Sequence, residues 1–425
     1  MFLSRPFLLD VTRLISRSWT RRLSTGIDRV CYAYLDHFGS RSQAVVQHRG
    51  IFFILSARNS DKLFAFLNSD DPSARRKLLN FAASGLIRGR RRVDCGGAFY
   101  LNVSHTDFDL PDHRKWITDC RLRPIYLLHD LIPILHGRYT SRHASQRHLG
   151  RTIGALKTAT GIIVNSQATA HDLASFADKA QLVSPPVLAA HLASNVFDCQ
   201  SASPPPAERS NTSKVYFLCV GTIEKRKNHQ LLFEIWLRLI ARLGKKAPQL
   251  IIVGQRTKDT DRILLFLDDH PELRQFVLVK HNCSDRELRG LISYAKALLM
   301  PSKAEGFGLP MIDALRLGTP IIANDLPAFR EIGQNIPSFL SCDDPENWAQ
   351  AVLSFANDGI ERRRQIDMMP TYQPTSWKDH FASVEQWLGS LSMTDRSAED
   401  HREFVQSDIS SASKILTSAE RARAI

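Results

Sequence analysis

The feature that most constrains this chain is an alternation of elements that occurs twice. In the first half, short apolar runs fall at Phe7–Val11, Ala44–Gln47, Phe99–Val103, Ile125–Leu128 and Gly161–Val164. Stretches with helical spacing separate them, at Thr25–Phe38, Asp71–Leu86, Ser141–Thr158 and Ser166–Phe176. Strands this short and this apolar need cover on both faces, so they predict a parallel sheet sandwiched by helices. The pattern breaks at residues 198–213, DCQSASPPPAERSNTS, a proline-rich polar stretch that reads as a linker. It then restarts, with strands expected at Val215–Val220, Leu250–Val253, Ala297–Met300 and Pro320–Ala323. Helices are expected at Gln230–Leu243, at Pro310–Leu317, and from the capping box Ser284–Glu287 through Ala295. The expectation is an α/β chain of two doubly wound domains, 1–197 and 214–390, joined by 198–213 and followed by a tail, 391–425, to which no function is assigned. A length of 425 residues fits two or three domains at about 150 residues each. Such domains bind ligands at the carboxyl ends of their strands, and two that face each other enclose a cleft.

The net charge of +13 favours an anionic partner: nucleic acid, a phospholipid surface or a phosphorylated small molecule. It does not choose among them, and a basic surface without a specific partner is equally compatible. The chain lacks the aromatic and zinc-ligand modules of nucleic-acid readers, which leaves a basic nucleic-acid binder as an alternative that only steeply salt-dependent oligonucleotide binding would revive. Seven cysteines, an odd number with no C-x-x-C pair, point to a reducing, cytoplasmic setting without a zinc cluster or disulfide frame. The amino-terminal stretch MFLSRPFLLDVTRLI is interrupted by Arg5, Asp10 and Arg13, and no run of about 20 apolar residues exists. Membrane contact is therefore expected to be peripheral only. The stretch from Ala74 to Arg92, ARRKLLNFAASGLIRGRRR, could lie on an anionic membrane. A core-facing helix with a solvated basic end is the other reading.

The most informative segment is Pro301–Gln334, PSKAEGFGLPMIDALRLGTPIIANDLPAFREIGQ. A strand ends at Met300, a loop with Gly306 and Gly308 follows, and a helix opens at Pro310. The amides of Gly306, Phe307, Gly308 and Leu309 then point out of the helix start and, with its dipole, form an anion site. Glu305 sits in the loop and Asp313 in the first helical turn. One carboxylate on each side of a phosphate cradle suits a sugar diphosphate, hydroxyls to the acids and phosphates to the amides. A plain helix start with ordinary acids is the competing reading of the residues alone. The segment resembles the donor-binding signature of glycosyltransferase family 4, a glutamate followed after seven residues by a second glutamate, in the context PSxxEGFGLPxxxALxxGTPxIAxxxPAxREIG. Here the second acid is Asp313, one methylene shorter. In the family that position binds the ribose hydroxyls, which Asp313 would reach less fully or through water.

A second segment, Val220–His229, follows the first strand of the second domain: VGTIEKRKNH. As residues it is a turn with a basic cluster at a strand carboxyl end. It resembles the family's VG-[RT]-x-E-x-RKN segment, and that resemblance implies donor-diphosphate binding by Arg226 and Lys227, in a turn formed by Gly221 and Thr222. Arg supplies a two-pronged fork and Lys a point charge. Fixed cations and helix amides would carry the charge of the departing diphosphate, so the reading includes no cofactor and no metal, only a GDP- or UDP-linked sugar as donor. The D-x-D sequence Asp107-Phe108-Asp109 is read as a decoy, because it lies outside a metal-binding context.

In the first domain, LLDVTRLI with STGIDRV, FYLNVSH and YLLHDLIPI are similar to the amino-terminal parts of capsule and O-antigen glycosyltransferases. That similarity implies a GT-B fold, two Rossmann-like domains with the acceptor on the amino-terminal side. It makes Gly26, Arg29 and Asp130 candidates for acceptor or cleft contacts and His129 a candidate for contact with the donor sugar near the reacting carbon. Their structural readings stay open: Gly26 as a helix start, Arg29 as a surface residue, His129 as a core histidine. Ser166 reads as a helix N-cap. The family retains anomeric configuration, and the acceptor implied is a surface polysaccharide or a glycan on a polyprenyl diphosphate, with mannose among the candidate sugars. The alternatives are a degenerate transferase serving as an assembly subunit, and another GT-B enzyme such as a nucleotide-sugar epimerase or a phosphorylase. The sequence does not define an oligomeric state.

Overall fold

The computed structural model describes residues 3–20, 25–48, 50–69, 95–194, 215–257 and 260–394. The expected linker 198–213, the helix expected at 71–86, the basic stretch 74–92 and the tail beyond 394 lie outside the described residues. The rest falls into two compact units. The first comprises described residues up to 134, then 142–190 and 378–394, and the second comprises 135–141 and 191–377.

The first unit is built on a seven-stranded sheet. Its strands are β1 (Phe7–Asp10), β2 (Ser42–His48), β3 (Ile51–Ile54), β4 (Phe99–Asn102), β5 (Arg123–Leu128), β6 (Gly161–Val164) and β7 (Val187–Ala189). Their order is β3-β2-β1-β4-β5-β6-β7. All neighbours are parallel except β2 and β3. Leu9 pairs in register with Ala44 on one side and Leu101 on the other, and β4 and β6 are buried along their whole length. This explains their uninterrupted apolar sequence. The helix Trp377–Thr394 packs on this unit from residue 378 onward. The His380 ring meets the Tyr34 hydroxyl at 3.0 Å and Phe381 stacks on His37 at 4.0 Å. Residues 378–390 thus belong with the first unit rather than with the 214–390 span, because the helix's aromatic face finds its partners there.

The second unit has β8 (Tyr216–Val220), β9 (Gln249–Val253), β10 (Val277–Lys280), β11 (Leu298–Met300), β12 (Ile321–Asn324) and β13 (Ser338–Leu340). The sheet is wholly parallel in the order β10-β9-β8-β11-β12-β13. That is the Rossmann order, which reverses direction between β8 and β11. Phe217, Leu250, Leu299 and Ile322 pack with Trp236 and Trp348 in one buried cluster. Burial of each such side chain stabilises the unit by roughly 1.5–3 kcal/mol. The serine caps form as expected: Ser166 accepts from the Thr169 amide and Ser284 from that of Glu287. Among the described residues no helix is long and apolar enough to cross a membrane.

Candidate functional site

The loops that follow β8 and β11 leave from neighbouring strands whose connections run in opposite directions, which opens a crevice at the strand ends. The two loops are bonded to each other. The Lys303 amide donates to the Arg226 carbonyl at 2.7 Å, and Arg226 Nη1 donates to the Ala304 carbonyl at 3.1 Å. The same Nη1 lies 2.7 Å from Glu305 Oε2, and the Lys227 ammonium contacts Glu305 Oε1. Ser302 donates to that oxygen at 3.3 Å, and Arg226 Nη2 lies 2.8 Å from Glu224. The Lys227 and Glu305 side chains are only 10% and 8% exposed. Burial raises the Glu305 pKa, but the charges of Arg226 and Lys227 outweigh it and bring the pKa down to about 2. Glu305 is therefore ionised throughout the neutral range.

Two glycines make this geometry available. Gly221 has φ +148°, and a Cβ there would come within 3.0 Å of Lys227 Cε, so the lysine stem lies against bare backbone. Gly308 has φ +113°, and a Cβ there would meet the Phe329 ring at 2.9 Å. Thr222 is half-buried in the first loop, and Gly306 and Phe307 are buried in the second.

The helix that follows spans Leu309–Arg316, with Gly308 as its left-handed cap and Pro310 as its second residue. It starts one residue earlier than expected, so Asp313 lies in the second turn rather than the first. Asp313 is 5% exposed, and its Oδ1 accepts a hydrogen bond from the Ser194 hydroxyl. Arg316 donates to the Ser194 carbonyl at 3.4 Å, and His191 Nε2 lies 2.5 Å from Glu331. The segment 191–194 is thereby laid along this unit. The two acids expected to flank one cradle have different partners: Glu305 is tied to the loop after β8, Asp313 to the segment 191–194. The sequence reading missed Ser194 and His191, since nothing local marks residues whose partners lie more than a hundred positions away.

In the first unit, His129 follows β5. Its Nε2 donates to the Val103 carbonyl at 2.9 Å, which fixes the ring proton on that nitrogen and leaves a lone pair on Nδ1. Its amide donates to His105 Nε2 at 3.2 Å, and its carbonyl accepts from Asn165 at 2.8 Å. His148 Nε2 donates to the Asp130 carbonyl at 2.8 Å, and the Asp130 carboxylate accepts from the Ile132 amide at 3.0 Å. The His105 ring stands 5.0 Å from that of His129 and 5.4 Å from that of His148. Burial holds all three below the usual histidine range, His129 at about 4. His129 and Asp130 are thus held by two neutral histidines that the sequence reading did not single out. The SH of FYLNVSH, just past β4, was the available signal.

Gly26 opens the helix Gly26–Phe38 and is exposed, while Arg29 is half-buried. The helix start is closed by Asp28, which accepts from the Thr25 amide at 2.7 Å and pairs with Arg13 at 2.5 Å and Arg17 at 3.0 Å. In the D-x-D sequence, Asp109 pairs with Arg147 and Arg151, and Phe108 stacks on Tyr126 at 4.6 Å.

Two doubly wound units of this topology define a GT-B fold, and solved structures agree with that class. The chain is similar in fold to sucrose-phosphate synthase from Thermosynechococcus elongatus, with a TM-score of 0.62, 15% identity, and 92% of this chain and 100% of that one covered. It is likewise similar to Anabaena HepE in complex with UDP, with a TM-score of 0.59, 14% identity, and 92% and 100% covered. In sequence, residues 204–368 match the family described as glycosyl transferases group 1. The chain is similar to the serotype-specific mannosyltransferase WbdA of Escherichia coli, 36% identical over 140 residues, which cover 32% of this chain and 16% of WbdA. It is also similar to the O-antigen chain mannosyltransferase RfbU of Salmonella typhimurium, 35% identical over 152 residues, which cover 35% of this chain and 40% of RfbU. The match thus spans two-fifths or less of these curated relatives. The similarity to O-antigen glycosyltransferases expected from the motifs holds.

Proposed function

We propose that this protein is a retaining glycosyltransferase that moves a hexose, mannose in the first instance, from a GDP- or UDP-linked donor to a surface-polysaccharide or polyprenyl-diphosphate-linked acceptor. The observation that carries the reading is the cluster of Arg226, Lys227 and Glu305, set between two bonded loops at the switch point of a Rossmann sheet and beside a helix start. The mannosyltransferase relatives support the choice of sugar.

In this reading the sugar–phosphate bond breaks and its electrons pass to a phosphate oxygen. Arg226, Lys227 and the amides of Gly306 to Leu309 stabilise the charge that grows there. The acceptor hydroxyl attacks from the same face, and its proton passes to the departing phosphate. Glu305 accepts hydrogen bonds from hydroxyls of the donor sugar. His129, neutral, accepts one through Nδ1. Asp313 shares its carboxylate between Ser194 and the ribose. Gly26, Arg29 and Asp130 are assigned to the acceptor side. The donor is a substrate and no further cofactor enters the scheme. The setting is the cytoplasm, with peripheral contact at the inner face of the membrane.

The test is transfer of labelled sugar from GDP-mannose, or from UDP-linked hexoses, to a polyprenyl-diphosphate-linked glycan, with the anomeric configuration of the product read by NMR. Retained configuration and loss of transfer in Lys227→Ala are expected. The contact of Ser194 with Asp313 favours the second reading, a degenerate subunit of an assembly complex. Binding of nucleotide with neither transfer nor donor hydrolysis would select it.

A further inference from the structure

We propose that Glu305 makes the site prefer a sugar-bearing nucleotide over the bare nucleoside diphosphate that transfer leaves behind. The inference rests on the donor-site reading above and concerns what the carboxylate does to the order of affinities.

The cluster contains two cations, Arg226 and Lys227, and two anions, Glu224 and Glu305, in direct contact. Its formal charge is zero. A diphosphate entering this place meets cations already neutralised by protein carboxylates. Glu305 touches both cations, whereas Glu224 is paired with Arg226. Any phosphate that takes up Arg226 and Lys227 therefore comes up beside the Glu305 carboxylate. The Lys227 and Glu305 side chains are 90% or more shielded, so little water is present to screen the repulsion.

The two ligands differ in the terms this carboxylate senses. A sugar-linked diphosphate carries one negative charge on each phosphate. The bare diphosphate ends in a phosphate monoester whose second pKa is about 6, so it carries nearly one more charge at neutral pH. Cations alone would favour the bare form. A fixed carboxylate penalises the extra charge and accepts hydrogen bonds from sugar hydroxyls that the bare form lacks. One group thus repels the product and holds the substrate.

The experiment is calorimetric titration of the full chain with GDP, GDP-mannose, UDP, UDP-glucose and inorganic pyrophosphate, in wild type, Glu305→Gln and Glu224→Gln. For the nucleotide that binds, Glu305→Gln should strengthen the bare diphosphate relative to its sugar conjugate by about tenfold, and strengthen pyrophosphate similarly. Glu224→Gln, which removes a carboxylate paired with Arg226, should strengthen both ligands alike and leave their ratio within about threefold. A wild-type comparison guards against misfolding of Glu305→Gln. The β-methyl ester of the diphosphate, with the lower charge and no sugar, should bind wild type more tightly than the free diphosphate. An unchanged ratio in Glu305→Gln, or a free diphosphate that binds wild type more tightly than its methyl ester, overturns the inference and leaves the donor site standing. Failure of every nucleotide and of pyrophosphate to bind wild type overturns both.

Discussion

The Ser194 hydroxyl donates a hydrogen bond to Asp313 across 119 positions of sequence, at a carboxylate that is 5% exposed. A hydrogen bond to a charged group contributes about 1.5–3 kcal/mol, so Ser194→Ala should lower stability by that amount, read from the urea midpoint. The same substitution leaves more of Asp313 to a ribose. Nucleotide affinity should therefore hold or rise in Ser194→Ala and fall in Asp313→Ala. Equal losses in both variants would show that the serine, too, contacts the ligand.

Glu305 couples the cation cluster to pH. Its folded pKa is lowered to about 2 from the ordinary glutamate value of 4.5. The unfolded chain therefore takes up the proton first as pH falls, and the stabilisation present above about pH 4.5 disappears by about pH 2. The span corresponds to about 3 kcal/mol. Denaturation curves measured from pH 6 to pH 2 should be less steep in pH for Glu305→Gln than for wild type.

The histidine cluster predicts a second acid transition at higher pH. His129 is held at about 4 against the ordinary histidine value of 6.5, and His105 and His148 shift the same way. Between those values the unfolded chain is protonated and the folded chain is not, so stability rises with pH through this window and is lost as pH falls below about 6.5. The His129 share is about 3 kcal/mol. His129→Gln should flatten the pH dependence of stability between 6.5 and 4 and leave the lower transition in place.

Gly221→Ala tests the backbone under Lys227. At φ +148° an L side chain costs about 1–3 kcal/mol, and the new Cβ would stand 3.0 Å from Lys227 Cε. The variant should lose stability and bind diphosphate more weakly than wild type. Alanine at Thr222, which is half-buried, should cost less.

The strands that patterning missed share one property. β3, β7, β10 and β13 are the edges of the two sheets, and each is largely half-exposed. Edge strands need no continuous apolar run, so they leave a weak trace, whereas β4 and β6, buried along their whole length, could be read at once. The site divides in the same way. Arg226, Lys227 and Glu305 lie in two compact motifs at strand ends, and the structure brings them together. The supports of the other candidates are distant in sequence. His105 meets the amide of His129 from the next loop along the sheet, and Ser194 reaches Asp313 from the segment 191–194. These contacts follow from tertiary packing, which periodicity and capping signals do not carry.

The most direct test of the central claim is a thermal-shift comparison of wild type and Lys227→Ala with GDP, UDP and their sugar conjugates. A ligand at about 100 times its Kd stabilises a fold by about 2.7 kcal/mol, which is enough to resolve. A shift with one nucleotide family is expected in wild type, together with its loss in Lys227→Ala. A shift of equal size in both proteins would contradict the central claim, because nucleotide would then bind away from the Arg226–Lys227–Glu305 cluster.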